Sequence, residues 1–213
     1  MILTVGHTKG GVGKSTLALN IAIERARAGR ETLLIDGDPR QTSVSKAIGI
    51  RGEAGVQPAI PCIVLEDARA LRQQVGMLRP KYQDVVIDVG GKDSNSLRAA
   101  LTVTDALLLP IAPESVEVWA IDDIIELVDE ARSIREVRVL AVLNRAKPAG
   151  RDNEETLAVI RDYPGLELLP VSVGSRAIFG NAFGRGQSVA EYRPGNPKAA
   201  TELASLLQAI YAD

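Results

Sequence analysis

The segment HTKGGVGKST, residues 7–16, combines the residue types that bind phosphate groups. A phosphate-binding loop must direct backbone N–H groups at oxygen anions where a helix begins, and side chains at those positions would block the approach. Three glycines meet this requirement, and a lysine and a serine follow them directly. In such loops the ammonium group neutralises phosphate oxygens and the hydroxyl binds Mg²⁺. The segment therefore predicts a site for nucleotide phosphates formed by Gly10, Gly11, Val12, Gly13, Lys14, Ser15 and Thr16.

Two apolar runs further along the chain carry aspartates. Asp36 ends the run TLLID, and Asp88 lies within DVVIDV. A carboxylate in so apolar a run as the second needs a partner, and a metal ion supplies one, so we expect Asp88 to hold Mg²⁺ through water. Asp36 is a candidate member of the same nucleotide site, and the alternative is that it only caps the turn after its strand. Gly90 and Gly91 follow the second run and would let a switch loop move with the state of the γ-phosphate.

The elements that position these residues alternate along the chain. Nearly continuous apolar runs predict strands over 2–6, 32–36, 84–89, 106–111 and 137–144, with 167–173 as a candidate sixth. Helical spacing of apolar residues predicts helices over 15–28, 65–78, 93–103, 115–133, 152–162 and 198–211. The alternation predicts one α/β domain over residues 1–213, a doubly wound and mainly parallel sheet with helices on both faces. The glycine- and proline-bearing segment 48–61 is predicted to be a mobile surface loop.

Composition sets limits on the class of protein. Hydrophobic residues make up 46% and charged residues 24%, as in soluble globular proteins. Cys62 is the only cysteine, which excludes a disulfide framework and indicates a reducing cytoplasm. We expect no secretion signal and no membrane span. The net charge of −2 neither favours nor excludes nucleic acid. Acids cluster within 114–130 and bases within 132–151, which we interpret as a solvated acidic helix face followed by a basic turn.

Thr8 occupies the first glycine position of the general pattern G-x-x-x-x-G-K-[ST], and the loop instead reads K-G-G-x-G-K-S. In this feature the sequence resembles the deviant Walker A ATPases of the ParA/MinD family. The resemblance implies a P-loop NTPase fold. The resemblance implies that Lys9 reaches across an ATP-sandwich homodimer to the phosphates of the other subunit, while Lys14 serves its own nucleotide. A cation from the partner would make dimerisation depend on the γ-phosphate, whose charge offsets the cost of burying that cation.

The resemblance also assigns the acidic residues. It implies that Asp38 orients the attacking water and, with Ser15 and Asp88, belongs to the Mg²⁺ site, and that Asp36 supports the switch. One departure is that Arg40 precedes Gln41, whereas the family segment D-x-D-P-Q has the glutamine directly after the proline. Neither a glutamine nor His7, the only histidine, stands out as a general base, so hydrolysis of ATP to ADP and phosphate is expected to be slow. The resemblance implies that a partner protein stimulates it.

Two further sites follow from the same resemblance. Asn144 ends the strand 137–144 and Arg145 follows it. The resemblance implies that these two residues contact adenine, together with a loop after the last strand that includes Pro170 and Val171. A strand-end asparagine is also a common turn residue. Residues 174–197 resemble the region with which partition ATPases hold the DNA backbone across the dimer, which makes Arg176 and Arg185 the expected contacts. The alternative is that these are ordinary surface arginines.

The resemblance covers essentially the whole chain and implies a short, single-domain ParA-type ATPase of the nucleoid. Such a protein binds ATP and Mg²⁺, dimerises, binds double-stranded DNA nonspecifically, and positions a plasmid, chromosome or other cargo through a ParB-like adaptor. The single cysteine excludes the nitrogenase iron protein, whose cluster needs two cysteines per subunit. The acidic C-terminal segment ELASLLQAIYAD argues against membrane binding of the MinD kind, and we expect no operator-binding helix-turn-helix. Two alternatives remain: a metabolic enzyme like dethiobiotin synthetase, and a regulatory ATPase that binds a protein partner without DNA.

Overall fold

Parallel strands form the centre of the molecule. The computed structural model describes residues 1–38, 41–65, 67–90, 94–113, 120–149 and 151–212. Arg40, Gly91 and the first residues of the predicted helix 115–133 lie outside these ranges. Within them the strands are β1 (Ile2–Val5), β2 (Thr32–Gly37), β3 (Cys62–Val64), β4 (Asp84–Val89), β5 (Ala106–Ile111), β6 (Arg138–Ala146) and β7 (Glu167–Gly174). The α-helices are α1 (Lys14–Arg27), α2 (Ser43–Glu53), α3 (Ala68–Leu78), α4 (Ser94–Leu101), α5 (Ala120–Arg132), α6 (Asp152–Asp162), α7 (Ala177–Phe183) and α8 (Pro197–Ile210).

The strands lie in one sheet in the order β3-β2-β4-β1-β5-β6-β7, and every recorded pair is parallel. β1, β2, β4 and β5 are buried along their whole length, which explains why the sequence shows them as nearly continuous apolar runs. Because the strands are parallel, their carboxyl ends all lie at the same edge of the sheet. The doubly wound α/β fold predicted from the sequence is confirmed.

Each face of the sheet is covered by a layer of helices with its own core. On one face α1, α2, α7 and α8 contribute Leu17, Ala47, Phe179 and Leu203 among others. On the other face α3 to α6 contribute residues such as Leu71, Leu97, Ile124 and Ile160. In the described part of the chain, no helix combines the length and the apolar character needed to cross a membrane.

The segment 48–61, predicted to be a surface loop, is a loop only in its second part. The first part of it belongs to α2, and Arg51 in that helix is 1% exposed. The guanidinium donates hydrogen bonds to the carbonyl oxygens of Gln57 and Pro58, each at 3.0 Å, and forms an ion pair with Glu191 at 2.5 Å. These contacts link residues 57 and 58 to the turn before α8. The prediction of a surface loop was therefore wrong for residues 48–53, which are helical, while residues 54–61 form a loop.

Candidate phosphate and nucleotide site

The phosphate loop joins β1 to α1 and turns at two glycines. Gly11 and Gly13 have φ angles of 81° and 94°, a left-handed conformation that only glycine adopts at little cost. Because Gly13 precedes the helix and has no side chain, it leaves the first N–H groups of α1 uncapped and available to an anion. A Cβ atom placed on Gly10 or Gly11 would meet no protein atom within 4 Å. The space over this part of the loop is therefore open to a ligand.

The two lysines of the loop have different surroundings. Lys14 is 7% exposed, and its ammonium donates a hydrogen bond to the carbonyl oxygen of Lys9 at 2.7 Å. Lys9 is half-buried, and its backbone N–H donates to Nδ1 of His7 at 3.0 Å. Lys14 thus lies along its own loop, where it would meet phosphates bound to its own chain. The reach of Lys9 towards a second subunit stays a prediction, since it concerns another chain.

The carboxyl ends of β2 and β4 bring aspartates to this loop. In the register of the sheet, Asp88 pairs with Asp36 on one side and with Val5 of β1 on the other. The Asp36 carboxylate accepts hydrogen bonds from the backbone N–H groups of Asp38 at 3.2 Å and Ser45 at 2.9 Å. Burial raises the pKa of Asp36, and these hydrogen bonds oppose the rise. Asp36 therefore caps the turn after its strand, and it also ties β2 to the start of α2.

Within the described part of the chain, Asp88 is a buried carboxylate without a hydrogen-bond partner. It is 1% exposed, and neither of its oxygens has a hydrogen bond of acceptable geometry to the described residues. The pKa of Asp88 is raised to about 7, mainly by burial. The charges of Asp36 and Asp38 contribute to the rise, whereas the nearby Ser15 hydroxyl and Lys14 oppose it. The Ser15 hydroxyl is thus close enough to favour the ionised form, although its geometry falls short of a hydrogen bond. A cation at this point would relieve the desolvation of the carboxylate.

Magnesium fits this arrangement of donors. Among the described residues, no group of three or more His, Cys, Asp or Glu side chains is placed to hold a metal ion by itself. Mg²⁺ commonly takes one or two protein oxygens and completes its shell with water and substrate phosphates. The hydroxyl of Ser15 and the carboxylate of Asp88 supply such oxygens beside the phosphate loop. The residues present therefore fit an ion that binds together with a nucleotide.

Asp38 lies at the same edge of the sheet. Its carboxylate oxygen accepts a hydrogen bond from the N–H of Gln41 at 3.2 Å. A Cβ atom on Gly90 would come within 2.9 Å of the Asp38 carboxyl group, so any larger residue there would displace the Asp38 side chain. The structure thus gives Gly90 a steric reason, while its predicted role as a hinge stays a prediction.

The end of β6 contacts the phosphate loop directly. The side-chain amide of Asn144, which is 5% exposed, donates to the carbonyl oxygen of Val12, and the Arg145 guanidinium donates to that of Gly11, each at 2.6 Å. Beside them lies a cavity of about 380 Å³ between the loop and the start of α7. Its lining consists of Gly11, Gly13, Thr16, Leu17, Asn144, Arg145, Gly174, Ser175, Arg176, Ala177, Phe179 and Gly180.

Pro170 and Val171 do not lie in a loop after the last strand. Both are inside β7, and Val171 packs against the core beneath it. The carboxyl end of β7 is at Gly174, three to four residues further on, which at about 3.3 Å per residue is roughly 10 Å or more. The residues that reach the cavity are those after this end, among them Ser175 and Phe179. These residues could have been found from the predicted end of the last strand, because ligands of open α/β sheets bind beside the residues that follow the carboxyl ends of the strands.

The two arginines expected to contact DNA differ in their surroundings. Arg176 lines the cavity and forms a two-pronged ion pair with Glu202, in which Nη2 donates to Oε1 at 2.8 Å. Its guanidinium is therefore engaged within the chain and is not presented freely to DNA. Arg185 is exposed, and among the described residues it forms no ion pair. Glu191, the acid of this region, is held by buried Arg51.

Comparison with known proteins places this site in a family. The sequence pattern of the CobQ/CobB/MinD/ParA nucleotide binding domain matches residues 3–189. The maintenance of carboxysome distribution protein A of Halothiobacillus neapolitanus is 27% identical over 210 residues, covering 98% of this chain and 95% of that protein.

Solved structures share the fold. McdA of Cyanothece in its apo form superposes with a TM-score of 0.80 at 18% identity, covering 98% of each chain. A plasmid partition protein of Borrelia burgdorferi bound to AMPPNP gives a TM-score of 0.77 at 19% identity, covering 98% of this chain and 97% of that one. With its phosphate loop, its strand-end aspartates and this match over most of its length, the chain belongs to the CobQ/CobB/MinD/ParA family of nucleotide-binding ATPases.

Proposed function

We propose that this protein is a Mg²⁺-dependent ATPase switch that dimerises with ATP, binds double-stranded DNA nonspecifically as a dimer, and positions a cargo through a ParB-like adaptor. The observation that carries the proposal is the K-G-G-x-G-K-S loop with buried Lys14 beside Asp88, whose buried carboxylate has no hydrogen-bond partner among the described residues. Relatives named for carboxysome distribution and for plasmid partition support the positioning role. The cargo is a plasmid, a chromosome or another large assembly at the nucleoid.

The chemistry assigned to the site is hydrolysis of the γ-phosphate. The N–H groups of the loop and Lys14 would hold the phosphate oxygens, and Ser15 and Asp88, with Asp38 beside them, would hold Mg²⁺. A bound Mg²⁺ supplies positive charge to the phosphate oxygens. Asp38 orients a water molecule whose oxygen bonds to the γ-phosphorus as the bond to the bridging oxygen breaks, and a proton of that water passes to an oxygen of the departing phosphate, which yields ADP and phosphate. The cavity beside Asn144 receives the rest of the nucleotide.

A route from the γ-phosphate to the surface runs through α2. Asp38 binds the N–H of Gln41, and Asp36 binds that of Ser45, so both carboxylates contact the chain at the start of this helix. A change at Asp38 when the γ-phosphate leaves would therefore be transmitted to α2. Order and disorder of segments that contact a γ-phosphate is a common switching device.

DNA contact is assigned to the surface around Arg185. Arg185, Arg193 and Lys198 are exposed there. Because Glu191 is drawn into the interior by Arg51, its charge does not neutralise these cations at the surface. A symmetric dimer would present the set twice, which suits contacts with phosphates that carry no sequence information.

The test is the binding of a labelled DNA duplex of arbitrary sequence with ATP, with ADP and with no nucleotide, over a series of salt concentrations. We expect binding with ATP only, weakening steeply as salt rises. Arg185→Ala should reduce the salt slope by roughly one for each subunit. Arg138→Ala is the matched control, because that exposed arginine is paired with Glu167 at the other edge of the sheet. Absence of DNA binding in every state, despite dimerisation with ATP, would favour the regulatory ATPase that binds a protein partner.

A further inference from the structure

The last residues of β6 hold two consecutive carbonyl groups of the phosphate loop. Nδ2 of Asn144 donates to O of Val12, and Nη1 of Arg145 donates to O of Gly11. Both contacts are short, at 2.6 Å, and join segments far apart in the sequence. The amide of Asn144 must present its NH₂ group here, because a backbone carbonyl can only accept.

The backbone of β6 is adapted to make the second contact. Arg145 has a φ of 56°, in the left-handed region that residues with a Cβ atom rarely occupy. The register between β6 and β7 also shifts between Asn144 and Ala146. An irregularity of this kind re-aims a side chain that would otherwise point to one face of the sheet. At Arg145 the re-aimed side chain reaches the phosphate loop.

The planarity of the peptide bond gives these contacts a consequence for the ligand. In a trans peptide the C=O of one residue and the N–H of the next point in opposite directions. When the carbonyl of Gly11 is held towards β6, the N–H of Val12 must point away from β6. In the same way, the hold on the carbonyl of Val12 directs the N–H of Gly13 away from β6. A phosphate site at the start of α1 requires N–H groups with fixed directions.

We propose that Asn144 and Arg145 are positioning residues of the phosphate loop, which orient the N–H groups of Val12 and Gly13 for phosphate through their hold on the two carbonyls. This role differs from the contact with the base that family resemblance implies for the pair. It rests on the nucleotide binding of the proposed function. The contribution is the same for any ligand that has the phosphates, whether or not a base is attached.

The experiment compares ADP with inorganic pyrophosphate, which has phosphates and no base. Affinities of the full chain for both ligands are measured with Mg²⁺ by displacement of a fluorescent ADP, for the wild type and for Arg145→Ala. Loss of a charge-assisted hydrogen bond predicts that both ligands bind roughly tenfold more weakly, by the same factor. Arg145→Lys, which keeps a cationic donor, should recover part of the affinity. A loss confined to ADP would show a base contact and overturn the proposal, as would unchanged affinity for both ligands.

Two variants separate positioning from folding. Arg145→Gly removes the same side chain but accepts a φ of 56° freely, so it should unfold at a higher temperature than Arg145→Ala while binding ADP equally weakly. Arg138→Ala, at the opposite end of β6, should bind both ligands as the wild type does. If the affinity of the two Arg145 variants followed their stability, the proposal would be wrong. If the wild type bound neither ligand, nucleotide binding and the proposed function would fail as well.

Discussion

The side chain of His7 lies at the end of β1, fully buried, where its Nδ1 accepts the N–H of Lys9. Burial, together with the smaller effects of the positive charges of Lys14 and Lys9, lowers the pKa of His7 to about 4. Protonation would also place a hydrogen on Nδ1 and break the bond to Lys9. The imidazole is therefore held neutral, which suits a residue that shapes the start of the phosphate loop.

This shift predicts how stability depends on pH. Between the ordinary pKa of 6.5 and the native value of about 4, the unfolded chain binds a proton at His7 and the native chain does not. The stabilisation is thus present at neutral pH and is lost as the pH falls through this window. From about pH 7.5 to about pH 5 the wild type should lose on the order of 2 kcal/mol more than His7→Gln, measured by urea unfolding without nucleotide. Asp88 titrates in both proteins, so the difference isolates His7, and equal pH dependence in the two proteins would contradict the assignment.

The phosphate loop was predictable from its residue types, but the contacts that the ends of β6 and β7 make beside it were not. Glycines, lysines and a strand-end aspartate identify a phosphate loop because few other residues meet its steric and electrostatic demands. The sequence predicted a strand over 167–173, within one residue of β7, so Pro170 and Val171 were placed wrongly when they were assigned to a loop after that strand. The contact of Arg145 with Gly11 depends on the irregular pairing of β6 with β7, which shifts register twice.

At the scale of whole elements, α2 is held by a buried ion pair that links it to the turn before α8. Arg51 is 1% exposed and Glu191 is 11% exposed. Besides Glu191, the guanidinium binds the carbonyl oxygens of Gln57, Pro58 and Gly186. Removing one partner of such a pair leaves a buried charge, and removing the arginine also leaves three carbonyl groups unbound.

Arg51→Met should therefore lower the free energy of unfolding by about 3 kcal/mol or more. Glu191→Gln should cost less, because its amide can still accept from the guanidinium. Arg138→Met is the control, since its ion pair with Glu167 is about half exposed and such pairs contribute about 1 kcal/mol or less. Denaturant unfolding of the three variants gives the order. A cost for Arg51→Met no larger than that of the control would show that the pair does not hold α2.

Burial and the range of stabilising contacts explain which elements could be predicted from the sequence. Strands buried on both faces appear as apolar runs, so β1, β2, β4, β5 and β6 were predicted close to their observed bounds. The helix α2 was missed because Gly49 and Gly52 are poor helix formers, and its stability comes from contacts distant in sequence. The edge strand β3 has three residues, which is too short to give a periodic signal.

At the scale of the whole molecule, the carboxyl edge of the sheet is the surface at which a second copy could contact a bound nucleotide. The phosphate loop, Asp36, Asp38 and Asp88 all lie at the carboxyl edge, so a nucleotide bound there would face outward to a partner. A triphosphate has more charge than one loop lysine neutralises. A second cation from a partner would then bind only when the γ-phosphate is present.

Lys9→Ala should therefore bind ADP with near-normal affinity, because Lys14 is intact, and yet stay monomeric with ATP. Size-exclusion chromatography with light scattering, run with ATP, with a non-hydrolysable analogue and with ADP, measures the state of the wild type and the variant. Lys81→Ala serves as the control, because this exposed lysine lies three residues before the start of β4, at the amino edge of the sheet, and the variant should dimerise as the wild type does. A Lys9→Ala protein that dimerises normally with ATP would refute the cross-subunit role of this lysine. The second lysine of the loop would then act within its own chain, and the dependence of assembly on the γ-phosphate would have to come from the aspartates that tie β2 to α2.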